Sequence, residues 1–267
     1  MSPITSSDPD PLAPWFARWR AARHPALIPY ITAGYPTVAD TAALLAVLAD
    51  AGADIIELGV PFSDPVADGP TIQRASQRAI EQGVTLGSVL ELLTAFRAHR
   101  DTPVVLFSYL NPVLAYGTGR FCTDAVAAGA QGLLLTDLPL GGDPGLEVML
   151  EASPLALVRL VAPTTPAERA LRIAERAQGF VYYIARLGVT GAGHELRPEL
   201  VRELRALRQQ TSTPLAVGFG VSTPAHAALL AREADGVVVG SALIDALDAG
   251  GTRAAAALVA SLRRALG

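Results

Sequence analysis

The 267-residue chain contains no lysine: all 21 basic side chains other than histidine are arginine. A Schiff-base mechanism needs an amine that can lose its proton, and a guanidinium cannot serve. Lysine-aldolase chemistry is therefore excluded, and so is covalent anchoring of pyridoxal phosphate. The single cysteine, Cys122, allows no internal disulfide, which fits a reducing compartment such as the cytoplasm. His24, His99, His194 and His226 are scattered with no ligand-like spacing, so no metal site is expected. No apolar run reaches the roughly 18 residues of a membrane span, and the opening MSPITSSDPDPLAPW lacks the basic and apolar regions of a signal peptide. The net charge of −4 argues against nucleic acid as a partner.

Apolar residues make up 51% of the chain and charged ones 17%, enough for a large core. Residues 1–13 are rich in Pro, Ser and Asp and read as loose. Trp15 to Ala22 reads as a short helix whose Trp15, Phe16 and Trp19 share a face, suited to plugging one end of a barrel. Apolar strand-length runs then alternate with amphipathic helical stretches. The strands read as 26–32, 54–60, 104–110, 132–138, 155–161, 180–186, 214–220 and 236–242, with a closing helix from about Arg253 to Ala265. Thr165-Pro166 and Thr223-Pro224 mark helix starts. Eight such units without a linker predict a single-domain (β/α)8 TIM barrel over residues 1–267, with an extra N-terminal helix. A doubly wound open sheet is the competitor, but ITAGYP after the first strand carries no GxGxxG.

In such a barrel the chemistry gathers at the C-terminal strand ends. The second strand runs into IIELGVPFSDPVADGPTIQ (55–73), with carboxylates at Glu57, Asp64 and Asp68. Glu57 sits among aliphatic neighbours, where an ionised carboxylate costs several kcal/mol unless paired, hydrogen-bonded or protonated. An internal salt bridge and an acid or base tuned by burial are equally compatible with the residue alone. Tyr109 and Asn111 end the third strand, Asp137 the fourth, and Tyr183 and Arg186 lie on the sixth. GFGVS (218–222) and VVGSA (238–242) each close a strand with small residues and open a helix, a pairing that favours a phosphate site after strands 7 and 8. LGVTGAG (187–193) has the composition of a lid. Tyr30, Ile72, Phe107, Leu134, Tyr183 and Phe219 would wall a flat aromatic ligand.

The segments PYITAGYP, ELGVPFSDPVADGPTIQ, SYLNP, TDLP, YIARLGVTG, GFGVS and GSA occur in one order along nearly the whole chain. In this the sequence resembles the tryptophan synthase alpha subunit family. The resemblance implies retro-aldol cleavage of indole-3-glycerol phosphate to indole and D-glyceraldehyde 3-phosphate. It implies a beta-subunit partner in an α2β2 heterotetramer, with pyridoxal phosphate only in that partner and no cofactor in this chain. A stand-alone lyase releasing free indole is the alternative. By resemblance Glu57 and Asp68 are catalytic, and Thr190 bonds the aspartate on lid closure. Tyr183 packs near the substrate, with Ile72, Tyr109 and Phe219 also in the binding site. Gly191, Gly220, Gly240 and Ser241 hold the phosphate, while Asp64 is structural or interface-facing. The sequence departs from the family pattern at Tyr35, where Asp is expected, and at Leu187, where Ser is expected.

Overall fold

The computed structural model describes residues 10–185, 197–218 and 220–267. Its strands are β1 (Ala26–Thr32), β2 (Ile56–Gly59), β3 (Val104–Ser108), β4 (Gly132–Leu135), β5 (Ala156–Val161), β6 (Val181–Ile184), β7 (Leu215–Gly218) and β8 (Gly236–Val239). All are parallel, and β8 pairs back onto β1, closing the barrel. The open-sheet alternative is thereby removed.

The helices among the described residues are α1 (Ala13–Ala22), α2 (Val38–Asp50), α3 (Pro70–Glu81), α4 (Leu86–Arg97), α5 (Leu110–Tyr116), α6 (Thr118–Ala127), α7 (Pro144–Glu151), α8 (Ala167–Arg176), α9 (Leu200–Arg208), α10 (Pro224–Leu230) and α11 (Ser241–Leu266). Two differ from the sequence expectation. Helix α5 begins at Leu110, where a strand residue was expected, because Pro112 falls within the first turn and its fixed φ suits a helix start. Helix α11 begins at Ser241, well before Arg253, with a break at Gly250 and Gly251, whose backbone angles are non-helical. The Thr223 side chain caps α10 by accepting from the His226 N–H at 3.2 Å. Thr165 does not cap α8; its hydroxyl accepts from the Ala162 N–H at 3.1 Å instead.

The core has two layers, set by the two-residue alternation of each strand. One face packs under the helices through residues such as Leu58, Leu106 and Tyr183. The other fills the barrel through Ile28, Tyr30, Val105, Phe107, Leu134 and Tyr182. Helix α1 closes the N-terminal end: Phe16 and Trp19 are buried edge-to-face at 5.1 Å, and Phe16 lies 5.7 Å from Phe180. Arg20 clamps it with two 2.8 Å bonds to Asp235. Truncating Phe16 to Ala would cost about 3–5 kcal/mol. With that end plugged, only the C-terminal ends of the strands remain for function. No helix among the described residues is long and apolar enough to cross a membrane.

Candidate active site

Glu57 stands in register with Tyr30 on β1 and Val105 on β3, so the three side chains share the inner face of the barrel. Its side chain is 0% exposed, and neither carboxylate oxygen has a partner among the described residues. The salt-bridge reading of Glu57 therefore falls. Burial pushes its pKa up from 4.5 to about 8, leaving a neutral carboxylic acid at pH 7.

Asp68 lies on the loop between β2 and α3, buried at 5% exposure. The loop is folded back by the Asp68 N–H bonding to Pro65 O at 3.0 Å and by Gln73 Nε2 donating to Asp68 O at 2.9 Å. The Tyr109 phenol donates to Asp68 Oδ2 at 3.0 Å and accepts from the Ala67 N–H at 2.9 Å. Burial raises the Asp68 pKa to about 6, while the Tyr109 bond pulls it back. Asp68 is thus mainly ionised at pH 7 where Glu57 is mainly protonated. Two carboxyl groups in one barrel mouth hold opposite charge states, as an acid and a charge-stabilising base require.

Two glycines make room for this mouth. A Cβ on Gly59 would lie 2.2 Å from the Tyr30 hydroxyl, and one on Gly218 would lie 2.0 Å from the Tyr182 hydroxyl. Each tyrosine leans toward the neighbouring strand and lays its hydroxyl over a missing side chain. Tyr30 also meets Phe107 edge-on at 5.1 Å and its hydroxyl lies 3.2 Å from Thr32 Oγ1. Burial, and then the Asp68 charge, hold the Tyr30 phenol well above its ordinary pKa, so it stays protonated.

The structure therefore gathers Glu57, Asp68, Tyr109 and the wall residues Ile72, Tyr30, Phe107 and Leu134 around the mouth. Tyr183 is a correction: it points outward, and its hydroxyl donates to Glu203 Oε2 at 2.8 Å beneath α9. Tyr182 is the inward residue of the pair, and its titration feels Glu57 and Asp68 after burial itself. Sequence reasoning missed it because YY presents two identical residues to opposite faces. Only the strand parity running from Phe180, which faces inward, distinguishes them. Gly59 was also overlooked.

At the opposite corner Gly220 has φ +98°, a conformation that favours glycine. Gly240 precedes α11 and supplies no side-chain cap, and Ser241 is the exposed first residue of that helix. An oxyanion finds backbone N–H groups and a favourable dipole at such a helix start. Thr190, Gly191, Phe219, Arg186 and Leu187 lie outside the described residues. Asp64 and Asn111 are exposed, and Asp137 accepts the Leu110 N–H at 2.7 Å at the start of α5. Tyr35, the other departure, donates its hydroxyl to Asp248 on α11.

A sequence profile described as tryptophan synthase alpha chain matches residues 16–265. The tryptophan synthase alpha chain of Chloroflexus aurantiacus is 48% identical over 238 residues, covering 89% of this chain and 90% of that protein. That of Xylella fastidiosa (strain 9a5c) is 48% identical over 257 residues, covering 94% and 96%. The crystal structure of tryptophan synthase subunit alpha from Legionella pneumophila str. Paris superposes with a TM-score of 0.88 at 38% identity, covering 97% of this chain and 98% of that one. The chain belongs to the tryptophan synthase alpha chain family, as a lyase subunit that cleaves indole-3-glycerol phosphate, the indole passing to a beta subunit.

Proposed function

We propose that the cleavage runs on Glu57 and Asp68 in the charge states described above. The neutral Glu57 carboxyl gives its proton to indole C3. Positive charge then develops on the ring nitrogen, and the Asp68 carboxylate, holding the N–H, stabilises it. Glu57, now ionised, takes the proton from the glycerol hydroxyl on the carbon bonded to C3. That C–C bond breaks, its electrons return to the ring, indole leaves, and the former alcohol carbon becomes the aldehyde of D-glyceraldehyde 3-phosphate. Glu57 ends protonated, so the cycle closes without a net proton change. The supporting observation is the buried, unpartnered Glu57 carboxyl with its pKa near 8.

Tyr109 fixes the Asp68 carboxylate. Ile72, with the Tyr30 and Phe107 rings, walls the indole. Gly220, Gly240 and Ser241 grip the phosphate; the resemblance adds Thr190, Gly191 and Phe219 to the binding site, and these three lie outside the described residues.

We also read residues 1–267 as one domain working in the cytoplasm in an α2β2 heterotetramer. Pyridoxal phosphate belongs to the beta subunit in this family, and a chain with no lysine has no amine to hold it as a Schiff base. The test is indole-3-glycerol phosphate added to the purified chain, with indole followed by absorbance, alone and with the beta subunit. Slow release alone, faster turnover with the partner and co-elution on gel filtration are expected. No indole in either case contradicts the reading; full activity alone, with no co-elution, favours the stand-alone lyase.

A further inference from the structure

A cavity of about 390 Å³ opens under the loop that follows β4. Leu140 of that loop, Leu157 of β5 and Ile173 of α8 give it apolar walls, and Thr136, Arg159 and Arg169 are its notable polar residues. None of these belongs to the catalytic machinery described above.

Its electrostatics are unusual for an apolar pocket. Arg159 is 5% exposed and spends Nη2 on Glu147 at 2.9 Å and Glu151 at 2.7 Å. Its Nε–H is buried and has no partner among the described residues. A buried orphan donor on a charged group forfeits a strong hydrogen bond, and native structures leave few of them. Arg169 donates to Leu140 O at 3.0 Å and has no carboxylate within ion-pair distance among the described residues. Arg159 and Arg176 are paired with Glu147 and Glu151, so the Arg169 guanidinium is the cavity-lining cation with no ion-pair partner among the described residues.

We propose that this cavity binds a small organic anion: one carboxylate on an apolar body, the carboxylate on Arg169, the body against Leu140, Leu157 and Ile173. A guanidinium pairs with a carboxylate through strong charge-assisted bonds, and the walls supply the hydrophobic part. The site has a route to the catalytic one. Thr136 lines the cavity and lies beside the Tyr109 phenol, which donates to Asp68. An occupant touching Thr136 therefore acts on the group that sets the Asp68 carboxylate. The proposal does not depend on the roles given to Glu57 and Asp68, because its test reads binding directly.

The test is calorimetric titration of the full chain with phenylacetate, with 2-phenylethanol as the neutral analogue of similar shape. Saturable phenylacetate binding is expected, weakened about tenfold or more in Arg169→Gln and by the neutral analogue. Arg169→Lys, which keeps the charge, should retain binding within a factor of about three to ten. Unchanged melting of both variants shows that the fold is intact. Absence of saturable binding, equal affinity for 2-phenylethanol, equal affinity in Arg169→Gln, or displacement of the probe by indole-3-glycerol phosphate would each overturn the proposal.

Discussion

The Tyr30 hydroxyl occupies the space that a side chain on Gly59 would need, the two separated by 2.2 Å if a Cβ is built. Glu57 stands two residues before that glycine and directly opposite Tyr30 on the neighbouring strand. The glycine thus seats an aromatic ring beside the acid. Gly59→Ala should force the ring off its seat at a cost of about 1–3 kcal/mol. Indole release should fall about tenfold or more through the displaced wall. Adding Tyr30→Phe removes the nearest clashing atom and should recover part of the melting temperature, although the ring carbon at 2.6 Å remains tight. Thermal melts with turnover assays check both effects; a Gly59→Ala variant with wild-type stability and turnover contradicts them.

Asp68 must be ionised to act and Glu57 must be protonated. With pKa values of about 6 and about 8, kcat/KM should rise through the first and fall through the second, peaking near neutral pH. Tyr109→Phe removes the bond that holds the Asp68 pKa down. Its acid limb should therefore move to higher pH, by up to about one unit. The pH–rate profile of the two proteins decides it, and an unmoved acid limb would detach Tyr109 from Asp68.

The same burial makes Glu57 a pH-dependent element of stability. Its folded pKa is raised from 4.5 to about 8, so between these values the folded state holds a proton that the unfolded chain releases. The stabilisation is fully present below about 4.5 and lost as pH rises through about 8. Glu57→Gln should flatten this slope, the difference between the two proteins reaching roughly 5 kcal/mol as an upper bound. Denaturant melts across that range measure it; parallel curves for wild type and variant would show that Glu57 is not protonated by burial.

Ser241→Asp sets a negative charge at the start of α11, where the phosphate is proposed to sit. KM for indole-3-glycerol phosphate should rise about tenfold or more with little change in kcat. Steady-state kinetics test this, and an unchanged KM would move the phosphate elsewhere.

Much of this was legible in the residues. Strand-length apolar runs at regular spacing announced the barrel, and a glutamate within IIELGV announced itself by its cost. What stayed hidden follows from the same buried strands. In a run apolar on both faces, composition does not reveal which residues point inward, so Tyr182 and Tyr183 could not be told apart until β6 was placed. Leu110 continues the apolar run of β3 yet begins α5, because helix start and strand end share the same residues there. The Gly59 seat joins β1 to β2 and the buried Arg159–Glu147 pair joins β5 to α7, and neither leaves a pattern within its own element. The Glu57 alternatives were separated only by the packing around it, which offers no cation among the described residues.

The account rests on Glu57 as the proton donor to the ring, and Glu57→Gln tests it most directly, because glutamine keeps the shape and removes the proton. Indole release should drop at least about a thousandfold, with binding of glycerol 3-phosphate close to wild type. Indole release within about tenfold of wild type would show that another group carries the proton.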